Sequence, residues 1–445
     1  MKISDLEDFI EKKFNKLIDK FKNADFPRLN GKVTRILGLT IESIGPDVFL
    51  SEVCKLRLDK GVQKLAEVVG FNENKVILMP LEEVSGLSQS CEVVRTKRKL
   101  DVGVGSEMVG RVFDALGRPI DGENFFPEKR YPLLNDSPNP LIRERIKEAL
   151  PTGIRAIDGF LTLGKGQRIG IFAGSGVGKS TLLGMIAKNT YADVNVIALI
   201  GERGREVREF IERDLGDEGL KRSIVVVSTS DQPALLRTKA LYTATSIAEY
   251  FRDQGLNVLL MVDSLTRWAM AQREIGLSVG EPPTTRGYTP SVFANLPKIL
   301  ERAGNSDKGS ITGIYTVLVE ADDFNEPISD TVRGIVDGHI MLSRRLAEAN
   351  HYPAIDVLAS ISRLMTEVAT KEHLEASRKI RDIMATYYDA KDLIDVGAYS
   401  KGTDPKIDKA IELIDEINAF LRQEVDEKST FEDTINHLIE IANKI

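Results

Sequence analysis

Nine consecutive residues that include three glycines, a lysine and two serines have the composition of a site for phosphate chemistry. The apolar segment 168–172 leads directly into Ala-Gly-Ser-Gly-Val-Gly-Lys-Ser-Thr at 173–181. Glycines lack a Cβ, so their backbone N–H groups can close around a phosphate, and the N-terminus of a following helix attracts the same anion. This order matches a phosphate-binding loop (the phosphate loop, 173–181), although Ala173 replaces the first glycine of the strict pattern.

The phosphate loop implies a nucleoside triphosphate, with ATP and Mg²⁺ as the expected pair. In loops of this type the lysine, here Lys179, reaches the β- and γ-phosphates, and the hydroxyl that follows, here Ser180, binds Mg²⁺. The residues expected to contact the nucleotide are Ala173, Gly174, Ser175, Gly176, Val177, Gly178, Lys179, Ser180 and Thr181.

A second metal ligand is expected at the end of another apolar run. The run 258–262 is followed by Asp263, 84 residues after Lys179. Ligands of open α/β sheets bind at the carboxyl ends of the strands, where Asp263 would lie. We therefore expect Asp263 to act with Ser180 as a Mg²⁺ ligand.

A carboxylate that could act on water follows a third apolar run. Residues 194–200 are followed by Gly201 and then by Glu202, the first carboxylate after that run. Hydrolysis of ATP needs a carboxylate that polarises or orients the attacking water, and we assign this role to Glu202. Glu206 and Glu209 are expected on the next helix, facing solvent.

The elements that must position these residues belong to an α/β domain. Continuous runs of Val, Ile and Leu that alternate with helical stretches indicate a parallel sheet covered on both faces. The helix 232–254 is expected to have Asp231 as its N-cap and Pro233 in its first turn. The predicted strands are 168–172, 194–200, 224–227, 258–262, 314–319 and 339–342.

Different patterns flank this core. Short β-rich runs separated by turns, such as 32–37 and 75–79, indicate a small barrel or sandwich. Beyond about residue 364, charged and aliphatic residues at helical spacing predict a C-terminal helical domain. The predicted domains are an N-terminal amphipathic helical arm (1–26), a β-barrel domain (27–100), a turn-rich connector (101–150), an ATPase core (151–363) and a C-terminal helical domain (364–445).

The predicted arm has one apolar stripe. Its apolar residues between 3 and 22 recur at spacings of three and four, as on one face of a helix. The stripe either packs on its own domain or belongs to a detachable arm that binds a partner. The sequence leaves both interpretations open.

The composition excludes several classes of protein. The chain has 445 residues, 42% hydrophobic and 29% charged, with a net charge of −7. These values are typical of a soluble globular protein, and the acidic balance argues against a nucleic-acid partner. Two cysteines exclude a disulfide framework. Without an apolar run near ~18 residues or a signal-peptide pattern, we expect a cytoplasmic protein, and these patterns leave peripheral docking on a membrane complex open.

Three longer segments resemble a known family. They are 152–184 (TGIRAIDGFLTLGKGQRIGIFAGSGVGKSTLLG), 263–304 (DSLTRWAMAQREIGLSVGEPPTTRGYTPSVFANLPKILERAG) and 351–365 (HYPAIDVLASISRLM). Together they resemble the type III protein-export ATPases of the rotary ATPase α/β family, most nearly the flagellum-specific members. The resemblance covers roughly residues 31–402. It implies a RecA-like parallel-sheet core with an N-terminal β-barrel and a C-terminal helical domain.

The resemblance also implies roles for residues that spacing alone does not assign. Arg203 and Arg267 match arginines near the γ-phosphate, and Tyr352 matches an aromatic residue that stacks on adenine. Arg363 matches an arginine finger that is donated across a subunit interface. The alternatives are a buried core tyrosine at Tyr352 and a surface salt-bridge partner at Arg363. The catalytic residues implied are Lys179, Glu202, Arg203, Arg267 and Arg363.

The function that the resemblance implies is Mg²⁺-dependent ATP hydrolysis in a homohexameric ring that energises type III export of flagellar proteins. It also implies a stator-like regulatory partner at the arm, a central coiled-coil stalk protein, export chaperone–substrate complexes and a membrane export gate. The alternatives are a virulence-type secretion ATPase, a non-catalytic nucleotide-binding subunit of a rotary ring, and a hexameric nucleic-acid translocase. The acidic C-terminal stretch of the synthase catalytic subunit is not apparent in 374–397.

Overall fold

The computed structural model of the chain describes residues 13–14, 30–58, 61–83, 86–89, 91–319 and 323–445. The chain separates into two compact units. The first comprises Met1–Met79 and Val84–Arg98, and the second comprises Pro80–Glu83 and Lys99–Ile445. Except for Lys13 and Phe14, the predicted helical arm lies outside the described residues.

The first unit contains a closed antiparallel barrel, as the sequence predicts. Its described strands pair in the order β1-β2-β5-β4-β3-β6. Both cysteines, Cys54 and Cys91, are free thiols buried in the barrel core with Val33, Ile41 and Leu78. The strands are β1 (Gly31–Leu37), β2 (Thr40–Ile44), β3 (Val53–Arg57), β4 (Gln63–Asn72), β5 (Lys75–Pro80) and β6 (Glu92–Arg95).

The segment that follows the barrel contains short strands as well as turns. Strand β7 (Asp101–Val104) pairs in antiparallel fashion with β9 (Lys129–Pro132). Between them, β8 (Val112–Asp114) adds a strand to one edge of the large sheet of the second unit. The predicted turn-rich connector therefore also contributes to that sheet.

The large sheet is the structural basis of the second unit. Its described strands follow the order β17-β16-β10-β15-β13-β11-β12-β8, with β14 beside β15. Pairing is parallel except for β14 and β17. The strands after β9 are β10 (Arg168–Ala173), β11 (Val194–Ile200), β12 (Ser223–Ser228), β13 (Asn257–Asp263), β14 (Gly304–Asn305), β15 (Ser310–Leu318), β16 (Gly338–Leu342) and β17 (Ile355–Ser362).

Each of the six predicted apolar runs corresponds to one of these strands. Strand β17 is not among the predicted strands. Its pairing with β16 shifts register between His339 and Met341. The irregularity exposes Leu358, Ala359 and Ile361 within the strand. A strand with this irregular burial has neither a continuous apolar run nor strict alternation, which are the two patterns that predict strands.

Helices cover the sheet and form the C-terminal domain. The core helices are α1 (Arg155–Phe160), α2 (Lys179–Asn189), α3 (Gly204–Glu209), α4 (Gly216–Leu220), α5 (Ala234–Asp253), α6 (Leu265–Ser278), α7 (Pro290–Leu300), α8 (Pro327–Ile335) and α9 (Arg344–Glu348). A π-helical segment, Phe210–Leu215, joins α3 to α4. The C-terminal helices are α10 (Met365–Val368), α11 (Lys371–Asp395), α12 (Pro405–Leu421) and α13 (Phe431–Ala442).

The predicted start of α5 is wrong by a few residues. Pro233 is the N-cap, with an extended ψ of 146°, and the helix begins at Ala234. Asp231 therefore lies outside the helix, where its carboxylate accepts a hydrogen bond from Thr229 that lowers its pKa. The fixed φ of proline suits the residues at a helix start, and here it sets the boundary instead of the acidic side chain.

The C-terminal helices pack against the start of the core. Phe420 of α12 lies edge-on to Phe160 of α1, with ring centres 6.1 Å apart. The imidazole of His373 donates a hydrogen bond to the carbonyl of Gly159 over 2.8 Å. These contacts place α11–α13 in the same hydrophobic core as the strands β10 and β11. No helix among the described residues has the length and apolar character needed to cross a membrane.

A buried ion pair ties α5 to the segments around it. Arg302 donates two hydrogen bonds of 2.8 Å to the carboxylate of Glu249, and neither side chain is more than 2% exposed. Arg302 also donates to the carbonyl of Leu133 and to the hydroxyl of Ser246. Loss of one charge from such a pair leaves the other buried without a partner.

We predict that Arg302→Met lowers the free energy of unfolding of the second unit by about 3–5 kcal/mol, because Glu249 would stay buried and unpaired. Urea unfolding followed by the fluorescence of Trp268, the single and fully buried tryptophan, measures this. Lys428→Met is the control, since Lys428 and its partner Glu218 are exposed and such pairs stabilise little. Equal unfolding midpoints for the two variants would contradict the prediction.

Candidate active site

The phosphate loop connects β10 to α2 at the carboxyl edge of the sheet. Gly176 and Gly178 have positive φ angles of 79° and 88°, which favour glycine, and Gly178 is the N-cap of α2. Ala173 instead lies at the buried end of β10, and its carbonyl accepts a hydrogen bond from the N–H of Val319 over 3.0 Å. Alanine in place of the first glycine of the pattern is therefore accommodated without backbone strain.

Three charged residues meet beside the loop. The ammonium of Lys179, at the start of α2, contacts Oδ1 of Asp263 at the end of β13. The same ammonium lies 3.8 Å from Oε1 of Glu202, which follows β11. These side chains are between 4% and 16% exposed. The structure therefore brings together the lysine and both carboxylates that the sequence predicts, one from each of three different segments.

Thr316 joins this cluster, although sequence reasoning missed it. Strand β15 lies between β10 and β13, and the pairing of Tyr315 with Val262 places Thr316 beside Asp263. The hydroxyl of Thr316 donates a hydrogen bond of 2.8 Å to Oδ1 of Asp263. The available signal was a threonine hydroxyl inside the apolar run 314–319, which could have been recognised as a polar group needing a partner.

Glu202 has an unusual affinity for protons. Burial raises its pKa to about 7, against the opposing charge of Lys179, and the charge of Asp263 raises it further. Protonated Glu202 donates a hydrogen bond to the carboxylate of Glu206, and this bond is the main reason that the pKa of Glu206 is lowered. The prediction that Glu206 faces solvent was therefore wrong in part, because α3 turns it back towards Glu202. Glu209 pairs on the surface with Arg205, over 2.7 Å.

Both arginines predicted near the γ-phosphate lie close to Glu202. The stem of Arg267, in the first turn of α6, packs on Gly201 so closely that a Cβ there would lie 2.9 Å from the Cβ of Arg267. Its Nε is buried without a hydrogen-bond partner among the described residues. Arg203 is largely exposed and forms a 2.6 Å ion pair with Glu206.

Ser180 and Thr181 occupy the first turn of α2, beside the cluster. Both are partly exposed. The hydroxyl of Thr181 donates a weak hydrogen bond, 3.4 Å long, to Asp214 of the π-helical segment. Ser180 thus follows the N-terminus of α2, where a hydroxyl can face a ligand of the loop.

Tyr352 lies against the phosphate loop. A Cβ on Gly178 would lie 3.3 Å from Cε1 of Tyr352, so the ring and the loop are in contact. The tyrosine is 41% exposed, which shows that the alternative of a buried core tyrosine is wrong. Its carbonyl accepts a hydrogen bond from the N–H of Gln423, so the C-terminal domain contacts the segment that carries Tyr352.

The structure does not bring Arg363 to the phosphate loop. Its N–H donates to the carbonyl of Asp337, whose own N–H donates to Arg168 at the amino end of β10. The loop lies at the other end of that strand, about 20 Å away at ~3.3 Å per residue. Arg363 is exposed, and no described carboxylate forms a salt bridge with it. No salt bridge within the described part of the chain supports the alternative of a surface salt-bridge partner, and both roles stay predictions.

Three family models match successive parts of the chain. The β-barrel domain of the ATP synthase alpha/beta family matches residues 33–97, and the nucleotide-binding domain of the same family matches 153–362. The C-terminal domain of the T3SS EscN ATPase matches 369–440. The matches follow the order of the barrel, the parallel sheet and the C-terminal helices.

Curated relatives extend this similarity over nearly the whole chain. The flagellum-specific ATP synthase of Bacillus subtilis is 55% identical over 434 residues, which are 97% of this chain and 99% of the relative. The chain belongs to the ATP synthase alpha/beta family. The type 3 secretion system ATPase of Xanthomonas euvesicatoria is 51% identical and covers 94% of this chain and 95% of its own.

A solved structure of another protein has the same fold as this chain. It is the assembled ATPase EscN in complex with its central stalk EscO, from the type III secretion system of enteropathogenic E. coli. The TM-score is 0.86 at 47% identity, over 93% of this chain and all of that one. The predicted barrel, parallel-sheet core and C-terminal helical domain are thus confirmed, as is the predicted membership of the type III export branch.

The raised pKa of Glu202 predicts how stability depends on pH. Folded Glu202 keeps its proton up to about pH 7, whereas an unfolded glutamate loses it near its ordinary pKa of 4.5. The folded state therefore binds more protons in this window, and stability falls as pH rises through it. Glu202→Gln should remove this fall, so the variant should gain stability over the wild type between pH 5 and pH 8, on the order of 1–2 kcal/mol.

Thermal unfolding of both proteins at several pH values, without nucleotide or Mg²⁺, measures the difference. Glu209→Gln is the matched control, because it neutralises an exposed carboxylate of the neighbouring helix α3 and should retain the wild-type pH dependence. Parallel curves for the wild type and Glu202→Gln would contradict the prediction.

Proposed function

We propose that this chain hydrolyses ATP with Mg²⁺ in a homohexameric ring and that the reaction energises type III export of flagellar proteins. The observation that supports it is the meeting of Lys179, Glu202 and Asp263 beside a phosphate loop, in a member of this family. A base that can act on water and a cation that can bind phosphate are what hydrolysis of a triphosphate requires.

Mg²⁺ fits the residues present. Asp263 offers a buried carboxylate and Ser180 a hydroxyl beside the loop. The described residues contain no group of three or more His, Cys, Asp or Glu that could hold a metal by themselves. Mg²⁺ is normally bound by one or two carboxylates together with water and substrate phosphates, so this small donor set suits it. When bound, it would neutralise charge on the phosphate oxygens.

The remaining chemistry belongs to the side chains. Lys179 would turn from the carboxylates to the β- and γ-phosphates, and Glu202 would then be released from its ammonium. Glu202 would orient a water whose oxygen bonds to the γ-phosphorus while the bond from that phosphorus to the β–γ bridging oxygen breaks. The products are ADP and inorganic phosphate, and the proton of the water passes to Glu202. The pKa of Glu202 is about 7 beside the ammonium of Lys179, and loss of that charge would raise it further, so the carboxylate would take up the proton more readily.

Arg363 would complete the site in a neighbouring subunit. It is exposed and lies far from the loop of its own chain, so it can act on a γ-phosphate only in another copy. Arg203 and Arg267 would serve the γ-phosphate from within the chain, and Tyr352 would stack on the adenine. That EscN was solved as an assembled ATPase supports a ring for its relative.

We predict that Arg363→Ala lowers turnover by about 10³–10⁵-fold while the affinity for ATP is retained, because an arginine finger stabilises mainly the transition state. Steady-state ATPase assays and equilibrium binding of ATP measure the two effects. Arg378→Ala, at another exposed arginine, is the matched control and should retain full activity.

Mixing two inactive variants tests the trans geometry directly. Lys179→Ala has a defective loop but offers Arg363, whereas Arg363→Ala has an intact loop but no finger. A random one-to-one mixture should regain about a quarter of the wild-type activity, since each site uses two subunits that meet head to tail. No recovery in mixtures shown to contain both variants, or full activity of a monomer, would refute the arrangement.

Three other functions differ in what they require. A virulence-type secretion ATPase is favoured by the match to the EscN C-terminal domain and by the relative from Xanthomonas euvesicatoria. Deletion of the gene separates the two, since loss of flagellar proteins from the medium supports the flagellar assignment. A non-catalytic ring subunit would lack Glu202, and a nucleic-acid translocase would be stimulated by RNA, so ATPase assays of the purified chain with and without RNA test both.

The partners and domain roles follow from the same proposal. The complex of EscN with EscO supports a central coiled-coil stalk protein as one partner. The resemblance alone suggests a stator-like regulatory partner at residues 1–26, export chaperone–substrate complexes and a membrane export gate. We place the protein in the cytoplasm at the membrane export apparatus, with a β-barrel domain at 27–100, a connector at 101–150, the ATPase core at 151–363 and the C-terminal domain at 364–445.

A further inference from the structure

One oxygen of Asp263 receives two donors. Its Oδ1 contacts the ammonium of Lys179 and accepts the hydroxyl hydrogen bond of Thr316, 2.8 Å long. Thr316 is fully buried and Asp263 is 3% exposed. Both donors use Oδ1, and no described residue hydrogen-bonds to Oδ2. The carboxylate is therefore oriented, with one oxygen occupied by the protein and the other left for a ligand.

The two donors differ in what happens when a nucleotide binds. In the proposed function, Lys179 turns to the phosphates, and Oδ1 then loses its charged donor. Thr316 is fully buried inside strand β15, which pairs with β10 on one side and β13 on the other, so its hydroxyl stays in place. We propose that Thr316 is a positioning residue that holds the carboxylate of Asp263 in the orientation for Mg²⁺ after Lys179 has moved to the nucleotide.

The surroundings of Thr316 suit this role. A β-branched side chain has restricted rotamers, so its hydroxyl has a defined direction. Strand β15 is tied to the chain just after Asp263, because the N–H of Leu318 donates to the hydroxyl of Thr266 over 2.8 Å. The donor and the acceptor are thus held on two strands that cannot shift independently. Partners that orient a metal ligand in this way commonly change metal affinity or activity by about 10–100-fold.

The test compares Thr316→Val, which removes the hydroxyl at nearly constant shape, with Thr316→Ser, which retains it. Thr312→Val is the matched control, since Thr312 is a buried threonine of the same strand whose hydroxyl instead accepts from the N–H of Gly166. Calorimetric titration of the full chain with ADP, in EDTA and at graded Mg²⁺, measures the effect of the metal on nucleotide binding. ATPase assays at graded Mg²⁺ provide kcat and KM separately.

We expect Thr316→Val to bind ADP in EDTA as the wild type does, and to need at least about tenfold more Mg²⁺ for the same gain in affinity. Thr316→Ser should recover most of the wild-type response, and Thr312→Val should show all of it. The inference is overturned if Thr316→Val has the wild-type Mg²⁺ response, if it loses ADP binding in EDTA as well, or if the wild type itself shows no Mg²⁺ response.

The inference rests on the proposed function because it takes from it that the chain binds a nucleotide with Mg²⁺. The role of Thr316 and the proposed function can nevertheless fail separately. A wild-type chain that binds ADP with Mg²⁺ yet does not hydrolyse ATP would refute the proposed function. In that case a weakened Mg²⁺ response of Thr316→Val would still support the role of Thr316.

Discussion

A buried ammonium between two carboxylates sets the requirements that the rest of the second unit must meet. Lys179 contacts Asp263 and lies 3.8 Å from Glu202, and little of the three side chains is exposed to solvent. Charges withdrawn from water are stable only when they are paired with good geometry, so the segments that supply them must end at the same place. The strand order β10-β15-β13-β11 satisfies this requirement, since every strand end involved lies at one edge of a parallel sheet.

The same sheet keeps Arg363 apart from that edge. Because β17 runs antiparallel to β16, its last residue pairs with the first residue of β16, at the amino end of β10. A strand is a stiff spacer, and an arginine side chain cannot span its length. Arg363 therefore cannot reach the phosphate loop of its own chain. For this reason the proposed site needs a second copy of the chain.

The two carboxylates beside Lys179 have different neighbours. Asp263 has two donors on one oxygen, and these compensate for its withdrawal from water. Burial is the main cause of the raised pKa of Glu202, and the carboxylates of Asp263 and Glu206 raise it further. Two acidic residues at one sheet edge thus have different surroundings: protein donors hold one oxygen of Asp263, whereas Glu202 keeps a proton up to about pH 7.

The sequence by itself determined the parts of the molecule whose signals are local. The phosphate loop was recognisable because nine adjacent residues supply all of its groups, and six strands were predictable because parallel strands buried on both faces are continuous apolar runs. Tertiary structure alone decided the bond from Thr316 to Asp263 and the distance of Arg363 from its own loop. Each depends on which strands become neighbours, and sequence spacing does not specify how residues far apart in the chain pair across a sheet.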